Sequence, residues 1–247
     1  MTSTVFLSPA LPSELLSYIL TQHVYPTTLI ICSSQTDFLV SVSEDIRIQS
    51  LKKTSNTDQP ELHEEGLLYN QDPTTEGTEV KHALLSSPLY QVATSRHIRV
   101  VYVPTVTHLR AYLSVFSPDE SRVPVPPAFK LTGHSEPHII LYGFLKLHRD
   151  TSEWSAQGLS NTISIMVELA HRLSWKALLI EPRSGSRDTA LEELLQETVP
   201  ILNGGARRLG PDSEEGAWTG RTVEVGRILG RWSHFQRIQW DISDSND

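Results

Sequence analysis

The sequence Gly204-Gly205-Ala206-Arg207-Arg208-Leu209-Gly210-Pro211 sets two adjacent arginines between glycines. Glycines on both sides make a mobile tip, and paired guanidinium groups on a tip can contact phosphates. Asp212, Glu214 and Glu215 follow at once and weaken the local field, so a merely solvated loop accounts for the same residues. Arg183-Ser184-Gly185-Ser186-Arg187 is a second loop of this composition, just after the apolar run 177–180. Two such loops on one edge of a sheet would form a phosphate-binding rim. Arg207, Arg208, Arg183 and Arg187 are its candidate nucleic-acid contacts.

Other groupings could carry different chemistry. Asp150 and Glu153 follow an apolar run, where α/β proteins often hold ligands, and could serve as an acid/base pair. The simpler reading is a solvated strand-to-helix loop, with Ser152 or Glu153 starting the helix. Arg149 and Trp154 beside them could be partner contacts. His134, Glu136 and His138 put two imidazoles and a carboxylate within five residues, but zinc needs further ligands in tetrahedral geometry and only His148 is near. Gly133-His134-Ser135 lacks the second glycine of a nucleophile elbow and precedes its strand instead of following it, which excludes that hydrolase class. No catalytic residue and no metal ligand is assigned.

Nucleotide chemistry meets the same difficulty. Thr27-Thr28-Leu29-Ile30-Ile31-Cys32 reads as a buried strand entering an α/β fold, but Ser33-Ser34-Gln35-Thr36-Asp37 follows. There is no glycine to wrap phosphates and no Lys-Ser/Thr pair to hold phosphate or Mg²⁺. The strand 138–143 also lacks a terminal Asp to hold a metal. An NTPase scaffold without its phosphate-binding loop points to a binding subunit, not an enzyme, and no cofactor is expected.

The elements that must position these residues follow from periodicity. Residues 13–20 read as a short helix capped by Ser13, and 38–42 as a further apolar segment, helix or strand. A polar loop insertion is expected at about 44–95 and a Pro-rich loop at about 117–137. Between them lie a strand at 97–103 and a helix at 107–116. A central strand at 138–145 precedes the strongest helix, 158–173, and a short strand at 177–180. Residues 189–202 are helical for most of their length. The last element, 222–238, carries Val225, Ile228, Leu229, Trp232 and Phe235 at helical spacing. Gly226 and Gly230 keep a strand reading open there. The aromatic stripe with Trp240 is core, or an oligomer interface through Trp232 and Phe235. Strands alternating with helices indicate a single α/β domain, 1–247, built on a mainly parallel sheet.

Composition narrows the function further. Hydrophobic residues make up 38% of 247, and the net charge is −8. That charge argues against wholesale coating of nucleic acid, while screening over about 10 Å leaves room for a local basic patch. The single cysteine, Cys32, rules out an internal disulfide framework and implies a reducing compartment. Neither a signal peptide nor a membrane span is expected.

In order along the chain, the opening helix 13–20, the strand with its Ser/Thr-rich turn at 29–38 and the "hIRhh" strand with its helix at 98–116 resemble the degenerate RecA-like recombinase paralogues. The strand Ile139-Ile140-Leu141-Tyr142 before a long helix, the basic loop at Arg207-Arg208 and the aromatic terminal stripe at 225–235 extend the likeness. Within that family the layout is similar to the small subunit of the fungal Shu-complex heterodimer. The resemblance implies a RecA-like sheet flanked by helices, DNA contact through Arg207 and Arg208, and a heterodimer with another ATPase-dead paralogue. It also implies promotion of recombinase filament assembly in homologous-recombination DNA repair, in the nucleus. Two alternatives stand beside it: an ATPase-dead RecA-like subunit of an Elongator-type tRNA-modification assembly, and a small-molecule enzyme using the Asp150/Glu153 edge.

Overall fold

A computed structural model describes residues 4–22, 24–57, 82–86, 88–120, 123–125, 136–183, 189–202 and 221–240. The chain runs β1 (Thr4–Leu7), α1 (Pro12–Gln22), β2 (Thr27–Ile31), α2 (Gln35–Thr57), α3 (Ala83–Ser86), α4 (Leu89–Ser95) and β3 (Ile98–Tyr102). It continues through α5 (Val106–Val115), β4 (His138–Tyr142), α6 (Phe144–His148), α7 (Ala156–Leu173) and β5 (Lys176–Ile180). After α8 (Ala190–Gln196) come β6 (Thr198–Pro200), β7 (Thr222–Glu224), α9 (Val225–Leu229) and β8 (His234–Gln236).

Six strands form one parallel sheet in the order β3-β2-β4-β5-β1-β8. Its inner strands are short, continuous apolar runs, as strands covered on both faces require. Alternation sorts their side chains into two cores. Phe6, Ile30, Ile139, Leu141 and Leu179 pack with α5, α7 and α9. Leu7, Leu29, Ile31, Ile140 and Ile180 pack with α1 and the start of α2. The fold is thus α/β, a parallel sheet flanked by helices.

The crossovers explain which helix lies where. From β1 through β2 to β3 the chain steps one way along the sheet, and α1 and α2 cover one face. From β3 through β4 and β5 to β8 it steps back, with α5, α7 and α9 on the other face. Right-handed connections demand this division. β1 and β5 are neighbours, with Phe6 opposite Leu179, yet the helices after them lie on opposite faces. Their loops diverge at the carboxyl end of the sheet, a topological switch point of the kind where open α/β sheets bind ligands; β2 and β4, followed by α2 and α7 on opposite faces, make another.

Several elements differ from those read in the sequence. The apolar segment at 38–42 is helix, and the helix continues to Thr57, where a polar loop from Glu44 was expected. Its polar residues hide the period because one of them, Asp45, is itself buried. α3 and α4 also fall within the expected insertion; residues 58–81 lie outside the described ones. The central strand stops at Tyr142, since Gly143 turns left-handed (φ 84°) to start α6. The expected helix at 189–202 ends at Gln196, and 198–200 pair antiparallel with 222–224. The final element is neither one helix nor one strand. α9 ends at Gly230, and β8 joins the sheet beside β1, itself unanticipated in the sequence.

Candidate functional site

The crevice at the β1/β5 switch point is bordered by the loop from β1 to α1 and the residues after β5. Ala10 pairs with Pro182 in an isolated parallel bridge. Its amide donates to the Glu181 carbonyl at 2.9 Å, and its carbonyl accepts from the Arg183 amide and the Tyr142 hydroxyl, each at 3.0 Å. The start of α1 is closed by carboxylates of the chain itself. Glu14 Oε2 accepts from Leu11 N at 2.8 Å, and Asp45 Oδ2, on α2, accepts from Ser13 N at 3.0 Å. Glu14 Oε1 accepts from Arg183 Nη2 at 2.8 Å, and the two side chains are only 5% and 9% exposed. Helix amides otherwise open to an anion are therefore taken by internal acids.

Glu181 closes the other side. It is the only acid in its apolar run, and both its oxygens accept from the start of α6, from Leu145 N at 2.7 Å and Lys146 N at 3.3 Å. Burial pushes its carboxyl up to about 7, against the pull of those amides and of Arg149 and Lys146. Burial and the negative charges of Glu181, Asp45 and Glu14 drive the Tyr142 phenol far above its ordinary value. Glu181, Asp45 and Glu14 thus all act on the buried Tyr142 hydroxyl, and Arg183 pairs with Glu14. A cleft of about 860 Å³ opens beside them, with Lys146, Arg149, Arg183, Glu193 and Glu197 among its walls. Its mixed charge, and the carboxylates below it, oppose a polyphosphate.

The residues singled out in the sequence separate accordingly. Arg183 is not a rim cation: it lies in the ion pair with Glu14. Arg187, Arg207 and Arg208 lie outside the described residues. The segment 203–220 carrying the last two joins β6 to β7, and its ends are held together. Ile201 N donates to Arg221 O at 2.8 Å, and Gln157 exchanges two hydrogen bonds with the Leu202 backbone, at 2.8 and 2.9 Å. Trp154 is half-buried under the Arg149 guanidinium, 5.1 Å from its ring centre, and Arg149 is itself paired with Glu197. Trp232 and Phe235 remain 36% and 40% exposed.

The Asp150/Glu153 edge does not assemble an acid/base pair. Glu153 pairs with Arg110 at 2.5 Å, while Asp150 takes a left-handed turn (φ 58°). Ser155, not Ser152 or Glu153, caps α7, accepting from Gly158 N at 3.0 Å. His138 and His148 sit at opposite ends of the β4–α6 unit, and His148 is locked between Phe144 O and Thr162 Oγ1. Among the described residues no three His, Cys, Asp or Glu side chains are grouped to hold a metal, and no helix is long and apolar enough to cross a membrane.

Glu14, Asp45, Tyr142 and Glu181 were not singled out in the sequence. Only Glu181, a lone acid at the end of an apolar strand, left a signal. In the sequence a phosphate loop was sought after β2; the loop from β1 to α1, which borders this crevice, reads Ser8-Pro9-Ala10-Leu11 and has no glycine. No protein-family model matches this chain, and no curated protein matches it.

Proposed function

We propose that this chain is a non-catalytic, RecA-like subunit that binds DNA together with a paralogue partner. It serves a nuclear homologous-recombination complex and promotes assembly of the recombinase filament. The observation that carries this reading is the self-occupied switch point. A parallel sheet keeps its crevice in the usual place, but Glu14 and Asp45 fill the amides of α1 and Ala10 is stitched to Pro182. A scaffold so arranged supports binding at its surfaces instead of phosphoryl transfer.

Partner binding is supported at the β3 end of the sheet. Among the described residues β3 is an open edge, pairing with β2 alone. Beside it an apolar groove of about 440 Å³ is lined by Leu16, Leu20, Val42, Leu84, Val92 and Val100. α4, which gives the groove Val92, also carries Leu89 and Tyr90, 85% and 59% exposed. An unpaired edge next to an apolar groove suits strand addition by a partner subunit. The partner candidates read from the sequence lie elsewhere, Trp154 under Arg149 and Trp232 and Phe235 at the β8 end of the sheet.

The test is affinity purification of the tagged full chain, with tRNA competed against DNA for the recovered complex. A co-purifying RecA-like paralogue and recombinase, with DNA retained over tRNA, is the expected result. Recovery of tRNA-modification subunits with preferential tRNA binding overturns the proposal.

A further inference from the structure

The edge opposite β3 has the contrary character. Residues 221–240 hold four arginines, Arg221, Arg227, Arg231 and Arg237, against one acid, Glu224, in a chain of net charge −8. All four arginines are exposed. Arg237 reaches Glu192 yet remains 76% exposed, and Arg227 and Arg231 form no ion pair among the described residues. Two aromatic rings accompany them. Trp232 lies in the turn after α9, and Phe235 on β8 packs edge-on against Phe6 at 5.9 Å while 40% of it stays open. β8 pairs only with β1, so its outer edge is free within the described sheet.

We infer that the α9–β8 turn and the β8 edge form a binding strip for single-stranded DNA, with Arg227 and Arg231 on the phosphates and Trp232 as a stacking platform. Each feature has a job that a duplex or a protein surface would not use together. Unpaired guanidinium groups neutralise phosphates. A half-exposed ring offers stacking only to bases that are not already stacked within a duplex. The turn is fixed by backbone bonds from Arg231, Trp232 and Ser233 to Ile228 and Leu229, which holds the ring and the cations in one frame. The inference rests on the DNA-binding reading above and adds a second surface to it, distinct from the Arg207/Arg208 segment.

Fluorescence anisotropy of the full chain with labelled dT20 and with a 20-base-pair duplex, at 50 and 200 mM salt, tests it. Three variants are compared: R227A/R231A, W232A and R207A/R208A. W232A should weaken dT20 binding about 5- to 10-fold and leave the duplex nearly unaffected. R227A/R231A should lower the log–log salt slope on dT20 by roughly 1.4. Circular dichroism melts confirm that each variant is folded, and W232F, which keeps a ring, should retain most of the dT20 affinity. If the wild type binds neither probe, the strip is excluded, while the DNA-binding reading, which concerns the chain with its partner, is decided separately on the recovered complex. If it binds, and only R207A/R208A weakens it, the strip is excluded while the DNA-binding reading stands. If W232A changes self-association in sedimentation but not anisotropy, the strip is a protein contact and the inference is overturned.

Discussion

The Thr162 hydroxyl is the meeting point of three helices. It accepts from Arg110 Nε of α5 at 2.8 Å and lies 2.9 Å from His148 Nε2 of α6 and 3.2 Å from its own helix's Gly158 carbonyl. Thr162 and His148 are fully buried and Arg110 is partly so, and removing the hydroxyl takes a partner from both. Thr162→Val should cost about 1–3 kcal/mol in urea unfolding, and Thr162→Ser should restore most of it. Glu181 sets a pH dependence. Its folded carboxyl titrates near 7, above the ordinary 4.5, so the folded state binds the proton more tightly than the unfolded chain. The resulting stability is full below about 4.5 and is lost as pH rises through 7. Glu181→Gln should therefore gain on the wild type by about 1–3 kcal/mol between pH 5 and pH 8. Parallel stability–pH curves for the two proteins would refute this. His138 acts in the opposite sense. Burial and Lys176 lower it to about 4, so its share of stability is present above 6.5 and is lost as pH falls through 4.

At the scale of elements, α7 depends on a close approach. A Cβ on Gly158 would stand 2.2 Å from the Glu153 carbonyl oxygen. Gly to Ala within a helix ordinarily gains about 1 kcal/mol. Here the backbone at Glu153 is held by the Arg110 ion pair, and Gly158→Ala should instead cost about 2–4 kcal/mol in thermal melts. Unchanged or raised stability would show that the 153–155 turn yields freely. α7, β2, β3 and β5 were legible in the sequence because their apolar residues keep a clean period of helix or strand. β1 was not, being only four residues long, and the second half of α2 was not, because buried Asp45 breaks its stripe. The switch point was hardest to read. Glu14, Asp45 and Glu181 acquire their roles from partners 32 to 169 residues distant, as Ser13–Asp45 and Glu14–Arg183 show. Trp232 and Phe235 were read as part of an apolar helical stripe, core or interface, with a strand left open; the helix ends at Gly230, Phe235 lies on β8, and both rings are partly exposed.

For the molecule as a whole, the two ends of the sheet predict two kinds of association. The β3 end is apolar, so the isolated chain should self-associate in a way that added salt does not reverse. Leu89→Asp with Val92→Asp should give a monodisperse monomer in light scattering, while Trp232→Ala should not; the reverse pattern would place the sticky surface at β8. Nucleotide should be ignored at either end. A fluorescent ATP analogue with Mg²⁺ is expected to show no saturable micromolar binding, and one-site saturation would contradict the self-occupied crevice. The β6–β7 ribbon has its own consequence, in the length of chain it can carry. Ile201, Arg221 and Gln157 hold the residues flanking 203–220 side by side, so that stretch is closed by bonds made outside it. Loop-closure entropy then changes by only about 0.6 kcal/mol for each doubling in length. A Gly/Ser segment of equal length in place of 203–220 should therefore leave the melting transition where it is, and a lowered transition would show that the native stretch contributes to the fold.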